Sequence, residues 1–199
     1  MSGLLFVISG PSGVGKSTLR REVVAKVHDL KYSISCTTRS RRTGEMEGVD
    51  YFFLDRETFE KMKARGEFLE WARVHGNYYG TPRRPVEEWL QQGFDVILEI
   101  DIQGALQVKK NFPQGIFIFV APPSLKTLEK RLRERNTDQG EEILLRMTNA
   151  HLEMKSIHDY NYLIVNDELE EAVDKFRSII VAERCRIRDK TDWIEETKT

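Results

Sequence analysis

Residues 10–17 read Gly10-Pro11-Ser12-Gly13-Val14-Gly15-Lys16-Ser17, the spacing G-x-x-x-x-G-K-S/T. Glycines so placed let consecutive backbone N–H groups curl around a phosphate chain, and the helix that follows turns its positive end toward the same anion. Lys16 adds a mobile cation, and Ser17 offers a hydroxyl oxygen to Mg2+. The stretch lies between the apolar run Leu4–Ile8 and the amphipathic segment Ser17–Val27. Strand then helix is the setting that phosphate binding requires, whereas a plain glycine-rich turn needs neither the lysine nor the flanks. The expected ligand is a nucleoside triphosphate, with residues 10–17 and Thr18 around its phosphates.

Such loops serve GTPases, motor ATPases and small-molecule kinases alike, so other residues must decide the reaction. No Asn-Lys-x-Asp guanine-reading motif occurs, and 199 residues leave no room for a motor domain. A kinase for a small acceptor leads. Arg39, Arg41 and Arg42 share the loop Thr37–Glu45 in a chain of net charge −1. Guanidinium forks bind phosphate oxygens bidentately, and Tyr51 and Tyr79 can add neutral hydroxyl donors. A solvated charged loop is the alternative; flanking aromatics rather than acids favour anion binding. A guanine base offers N–H donors beside acceptors, so its pocket wants carboxylates near a hydroxyl. Glu70, Thr81 and Asp101 supply that set, although Glu70 alone reads equally as a surface acid.

These side chains need a scaffold. Four apolar runs, Leu4–Ile8, Val96–Ile100, Ile116–Ala121 and Tyr162–Val165, read as buried strands, and helical patterns lie between them. Ser124 can cap a helix carrying Leu125, Leu128 and Leu132. Ile143, Leu144, Met147, Ala150, Met154 and Ile157 mark another stripe, and Leu169, Val173, Phe176 and Ile180 a last one. The expectation is an α/β fold with a parallel central sheet flanked by helices. Residues 32–85 break the rhythm with short mixed strands around a helix at Arg56–Ala64 and read as an inserted mixed α+β domain. The core is then 1–31, 86–130 and 150–199, with the polar segment at about 131–149 as a short lid. Forty per cent apolar and 32 per cent charged residues, near neutrality overall, describe one globular domain and exclude a general nucleic-acid or membrane binder. Two cysteines, Cys36 and Cys185, make no disulfide framework, and no leader or membrane-spanning run is seen, which points to the cytoplasm. The four histidines form no ligand cluster. Oligomeric state stays open between monomer and homo-oligomer.

With these segments in hand, the chain resembles the guanylate kinase family, a branch of the P-loop NTPase fold. Ser9–Ser17, Thr37-Thr38-Arg39 with Arg42-x-Gly44-Glu45, Gly48-x-Asp50-Tyr51-x-Phe53, Glu70-Trp71-Ala72, Gly76–Thr81, Asp101-Ile102-Gln103-Gly104, Pro122-Pro123-Ser124 and Ile164–Asp167 carry the resemblance over almost the whole chain. It implies transfer of a phosphoryl group from ATP, with Mg2+, to GMP, in purine nucleotide metabolism, with dGMP a further acceptor. It implies that 32–85 binds GMP: Ser35, Arg39, Arg42, Tyr51 and Tyr79 on the phosphate, Glu45 orienting the arginines, and Glu70, Thr81 and Asp101 on guanine. Lys16, Arg39, Arg42, Arg135 and Arg146 would be catalytic, Arg131 a weaker candidate, and Asn166 would lie near adenine. Arg41 stands where the family usually has proline and Asn136 where it commonly has glycine. Two other readings share features: a scaffold module that binds phosphorylated peptides, which would not need Lys16 and Ser17, and a kinase for another nucleoside monophosphate, which would not need the guanine readers.

Overall fold

The structure, a computed structural model, describes residues 2–74, 76–134 and 140–187. Its centre is β1 (Leu5–Ser9), every residue of which is buried. It pairs in parallel with β7 (Asp95–Glu99) on one side and β8 (Ile116–Ala121) on the other. Two outer strands, β2 (Leu30–Tyr32) and β9 (Tyr162–Val165), complete a five-stranded parallel sheet in the order β2-β7-β1-β8-β9. A strand covered on both faces must be apolar on both, which explains the unbroken hydrophobic runs. One face packs Phe6, Ile8, Ile97 and Ile118 against Leu19 and Val23 of α1 (Lys16–Lys26) and Phe176 and Ile180 of α7 (Leu169–Cys185). The other packs Val7, Val96, Leu98 and Phe117 against Val86 of α3 (Arg83–Gln91) and Ala105 and Val108 of α4 (Ile102–Asn111).

The sheet therefore has one strand more than the four apolar runs suggest. β2 is three residues long, lies at an edge and carries an exposed Lys31, so it leaves no hydrophobic run to read. Tyr32 ends this strand, opposite Ile97, rather than opening a strand of the small sheet.

Between β2 and β7 the chain builds a second sheet from β3 (Cys36–Thr37), β4 (Phe52–Phe53), β5 (Phe68–Val74) and β6 (Asn77–Pro82), in the order β4-β3-β6-β5. β3 and β4 run parallel and the other pairs antiparallel. Across it lies α2 (Arg56–Ala64), started by Asp55, whose side chain accepts a hydrogen bond from the Thr58 backbone at 2.7 Å. Its buried Phe59 stacks on Phe68, centroids 4.4 Å apart, and on Tyr78 at 5.3 Å, with Cys36 beside them. This is a core of its own, small and aromatic.

Ser124 does cap a helix: its hydroxyl accepts from the Thr127 backbone at 3.0 Å at the head of α5 (Leu125–Glu134). α6 (Gly140–Met154) follows and passes into a 3-10 turn at Lys155–Asp159. Ile143 and Ala150 face the core, but Leu144 is 70% exposed. Successive helical residues point about 100° apart, and here the buried arc runs through Ile143 and Ala150, which leaves Leu144 on the solvent side. Arg135, Asn136 and His75 lie outside the described residues. Among the described residues, no helix is long and apolar enough to cross a membrane.

Removing the Phe59 ring takes away both stacking partners at the centre of the small sheet. Phe59→Ala is expected to lower the unfolding free energy by about 3–5 kcal/mol. Urea unfolding measures it; a loss below about 1 kcal/mol would contradict the packing described.

Candidate active site

The C-terminal ends of parallel strands are where open α/β sheets bind ligands, and here β1 and β7 end beneath a cavity of about 410 Å³. The loop leaving β1 holds Gly10 at φ +143° and Gly15 at φ +95°. A Cβ on Gly10 would sit 2.1 Å from the Val120 carbonyl oxygen, and one on Gly15 would sit 2.6 Å from Asn166 Nδ2, so neither position admits a side chain. The loop opens directly into α1, which directs its first N–H groups toward the cavity. Lys16 Nζ donates to the carbonyls of Gly10 (2.5 Å) and Pro11 (3.0 Å). The Ser17 hydroxyl donates to Glu99 Oε1 at 2.5 Å, and Glu99 is held from its other oxygen by Arg20 Nε at 3.3 Å. Arg20 in turn lies 3.7 Å over the Tyr32 ring.

Across the cavity stands the arginine loop. Arg39 makes a two-pronged pair with Glu45, 2.7 and 3.1 Å, and the same carboxylate accepts from the Arg42 backbone at 2.8 Å. Burial opposes ionisation of Glu45, but the hydrogen bonds from Arg39 and the Arg42 backbone outweigh it and hold its carboxyl below the usual range. The guanidinium plane is thereby aimed before any anion arrives. Tyr51 and Tyr79 meet edge to face at 5.9 Å, and burial pushes the Tyr51 phenol up to about 12, so it remains a hydroxyl donor. Arg42 and the buried Ser35 line the same wall, while Arg41 is exposed and outside it.

The floor between the two is acidic. Glu70 on β5 faces Thr81 on β6 as a cross-strand pair, and Thr81 donates to Glu70 Oε1 through both its backbone N–H (3.0 Å) and its hydroxyl (2.6 Å). Glu70 is 4% exposed, and burial, with a further push from Asp101, raises its pKa to about 7 against the pull of Thr81. Asp101 caps α4, accepting from the Gly104 backbone at 2.9 Å, and burial raises its pKa too. A Cβ on Gly104 would lie 2.4 Å from Glu70 Oε2, so that glycine is what lets the helix approach the carboxylate.

Nearly all the residues singled out from sequence meet here. Ser12, Gly13 and Lys16 face Arg39, Tyr79 and Asp101 across one space, and Arg146 of α6 reaches in with Nη1 3.4 Å from Ser12 Oγ. Val14, Thr18, Arg131 and Asn166 line a neighbouring cavity of about 320 Å³ instead. There Asn166 Nδ2 donates to the Val14 carbonyl at 2.7 Å and Arg131 donates to the Asn166 carbonyl at 2.9 Å. Pro11 lies on neither wall, and Thr81 is fully buried behind Glu70, its hydroxyl already engaged. Sequence reasoning missed Glu99, Arg20 and Tyr32. The readable signal was Glu99, an acid inside the otherwise apolar run Val96–Ile100.

The Ser17 hydroxyl and Glu99 carboxylate form an oxygen-only donor pair beside the phosphate loop. That chemistry fits Mg2+, which keeps several waters and takes few protein ligands. No group of three or more His, Cys, Asp or Glu that could cage a metal occurs among the described residues.

A glycine-rich loop on a parallel sheet, opposed across one cavity by an anion clamp and a buried carboxylate, defines a phosphate-loop nucleotide kinase. The guanylate kinase family model matches residues 2–183. A guanylate kinase of Carboxydothermus hydrogenoformans is 54% identical over 184 residues, 92% of this chain and 90% of the relative. Another, of Desulfitobacterium hafniense, is 52% identical over 188 residues, covering 94% of each. The crystal structure of guanylate kinase from Anaplasma phagocytophilum superposes with a TM-score of 0.79 at 33% identity, covering 93% of this chain and 88% of that one. The chain belongs to the guanylate kinase family, nucleotide-binding phosphotransferases that use ATP to phosphorylate GMP.

Because the folded state raises the Glu70 pKa from 4.5 to about 7, it holds that proton more tightly than the unfolded chain does. The stability this gives is fully present below about pH 4.5 and is lost as pH rises through about 7. Glu70→Gln, which keeps the acceptor oxygen for Thr81, is expected to be near neutral at pH 4 and stabilising by on the order of 3 kcal/mol at pH 8. Thermal melts of both proteins across this range measure it, and a pH-independent difference would contradict it.

Proposed function

We propose that the chain performs the reaction of its family, ATP + GMP giving ADP + GDP, with the following division of labour. The backbone of residues 10–17 and Lys16 hold the ATP phosphates, Thr18 and Asn166 border the space for the donor nucleoside, and adenine sits in the neighbouring cavity. Ser35, Arg39, Arg42, Tyr51 and Tyr79 hold the GMP phosphate, with Glu45 aiming the arginines. Glu70, Thr81 and Asp101 read guanine, the two carboxylates accepting its N–H donors while Thr81 also holds Glu70 in place. Residues 32–85 act as the GMP-binding domain and about 131–149 as a lid that brings in Arg146 and Arg135. The observation that carries this reading is the opposition of Lys16 and the Arg39–Glu45 pair across a single cavity floored by Glu70.

A GMP phosphate oxygen attacks the γ-phosphorus while the bond to the β,γ-bridging oxygen breaks, and ADP leaves with that oxygen's charge. The nucleophile is already an anion, so no general base is assigned. Catalysis is positioning and electrostatic stabilisation. Lys16 and the guanidinium groups neutralise the oxygens of the transferred group, and lid closure keeps water from competing with GMP. Ser17, with Glu99 beside it, would hold Mg2+, which when bound supplies Lewis-acid charge neutralisation on the donor phosphates. A reducing cytoplasm, where Cys36 and Cys185 stay thiols, is the setting we propose.

Lys16→Ala is expected to lower kcat about 10³-fold or more with an unchanged melting temperature; near-normal turnover would remove Lys16 from the machinery. A coupled assay of ADP formation tests the base. Adenine puts a donor where guanine has O6 and lacks the N2 amine, so kcat/KM for GMP should exceed that for AMP by about 10⁴. Equal rates with GMP and AMP would overturn the assignment of Glu70.

A further inference from the structure

Arg20 lies one turn along α1 from Ser17 and lines the main cavity, with its side chain only 11% exposed. Its guanidinium is fixed from two sides: Nε is 3.3 Å from Glu99 Oε2, and the group lies 3.7 Å over the Tyr32 ring. Glu99, 14% exposed, has its other oxygen on the Ser17 hydroxyl at 2.5 Å. Tyr32 of β2, Arg20 of α1 and Glu99 of β7 thus form a chain of contacts that ends on the last residue of the phosphate loop.

The acid in that chain stands in an awkward place. A carboxylate one hydrogen bond from a loop that receives a triphosphate repels it, and a partly buried site weakens that repulsion far less than water does. A divalent cation that accompanies the nucleotide offsets the charge; without one, the compensation has to come from the protein. On the functional reading above, on which this inference rests, residues 10–17 hold the ATP phosphates. We infer that Arg20 is a positioning residue acting through Glu99: it neutralises the carboxylate and keeps Oε1 on Ser17, so that the phosphate loop accepts a nucleoside triphosphate whether or not a metal accompanies it. Tyr32 is the platform that holds the guanidinium on Glu99.

The test is calorimetric titration of ATP into the wild type, Arg20→Met, Glu99→Gln and the double variant, once in EDTA and once in excess Mg2+. In EDTA, Arg20→Met should bind ATP about tenfold more weakly than the wild type, and in Mg2+ the loss should shrink to about threefold or less. Arg20→Gln, which can still donate to Glu99 but carries no charge, should show the same pattern and gives a second reading should Arg20→Met not fold. Glu99→Gln should bind metal-free ATP at least as tightly as the wild type, and the double variant should return to within about threefold of it. A merely structural role, through lost packing on Tyr32, would weaken binding equally in both buffers and would not be rescued by Glu99→Gln. Unchanged metal-free affinity in the neutral variants, an equal loss with and without Mg2+, or a double variant as weak as Arg20→Met would each overturn the inference, as would a wild type that binds ATP only with Mg2+. A wild type that binds no ATP in either buffer would instead overturn the functional reading.

Discussion

Repulsion between two phosphate groups brought to bonding distance is the constraint this architecture answers. Two unit charges about 4 Å apart repel by about 1 kcal/mol in water but by about 4 kcal/mol at a partly buried protein site, and each phosphate carries more than one charge. The same low dielectric strengthens every compensating donor. The cavity has positive groups on both of its sides: Lys16 and the start of α1 on one, Arg39 and Arg42 on the other, and Arg146 at the lip. Two of these cations are held within the protein, Lys16 on the carbonyls of its own loop and Arg39 on Glu45. Side chains held in this way are ordered in the absence of ligand, so less conformational entropy is lost when an anion binds them.

The fold makes the opposition possible by where it inserts the second sheet. β2 and β7 are neighbours in the parallel sheet, so the chain leaves at Tyr32 and returns at Asp95 along the same edge. The small mixed sheet built between those residues faces the loop that follows β1 across the main cavity, and α3 then carries the chain back along one face of the large sheet to the start of β7. The two sheets have separate cores, one mainly of aliphatic side chains with a few phenylalanines on both faces and one of stacked aromatic rings. At the seam, α4 begins with Asp101 on the cavity and presses Gly104 against Glu70, so a residue of the large sheet's own connection sets the position of the small sheet's key acid.

How much of this could be read from the residues alone follows from how local each feature is. The phosphate loop is eight consecutive residues whose function resides in backbone conformation, and it stands where the glycines require. The buried strands announce themselves because two covered faces leave only apolar residues. Glu70 is different: as one letter it is a surface acid as readily as a buried one. What buries it is Thr81, eleven positions on and opposite it in the sheet, together with Gly104 from another element. Thr81 likewise gives no sign in sequence that its hydroxyl and backbone N–H both donate to Glu70. Arg20 and Tyr32 carry no motif and become a pair only when α1 and β2 pack side by side. Leu144 shows the reverse failure, an apolar letter added to a stripe whose geometry sends it to solvent.

The central claim concerns where the acceptor's phosphate lies. A crystal structure with GMP and a non-hydrolysable ATP analogue bound together tests it most directly. The account places the GMP phosphate oxygens within hydrogen-bond distance of the Arg39 and Arg42 guanidinium groups, with the guanine edge on Glu70 and the γ-phosphate beside Lys16. A monophosphate bound with its oxygens away from both arginines would contradict it.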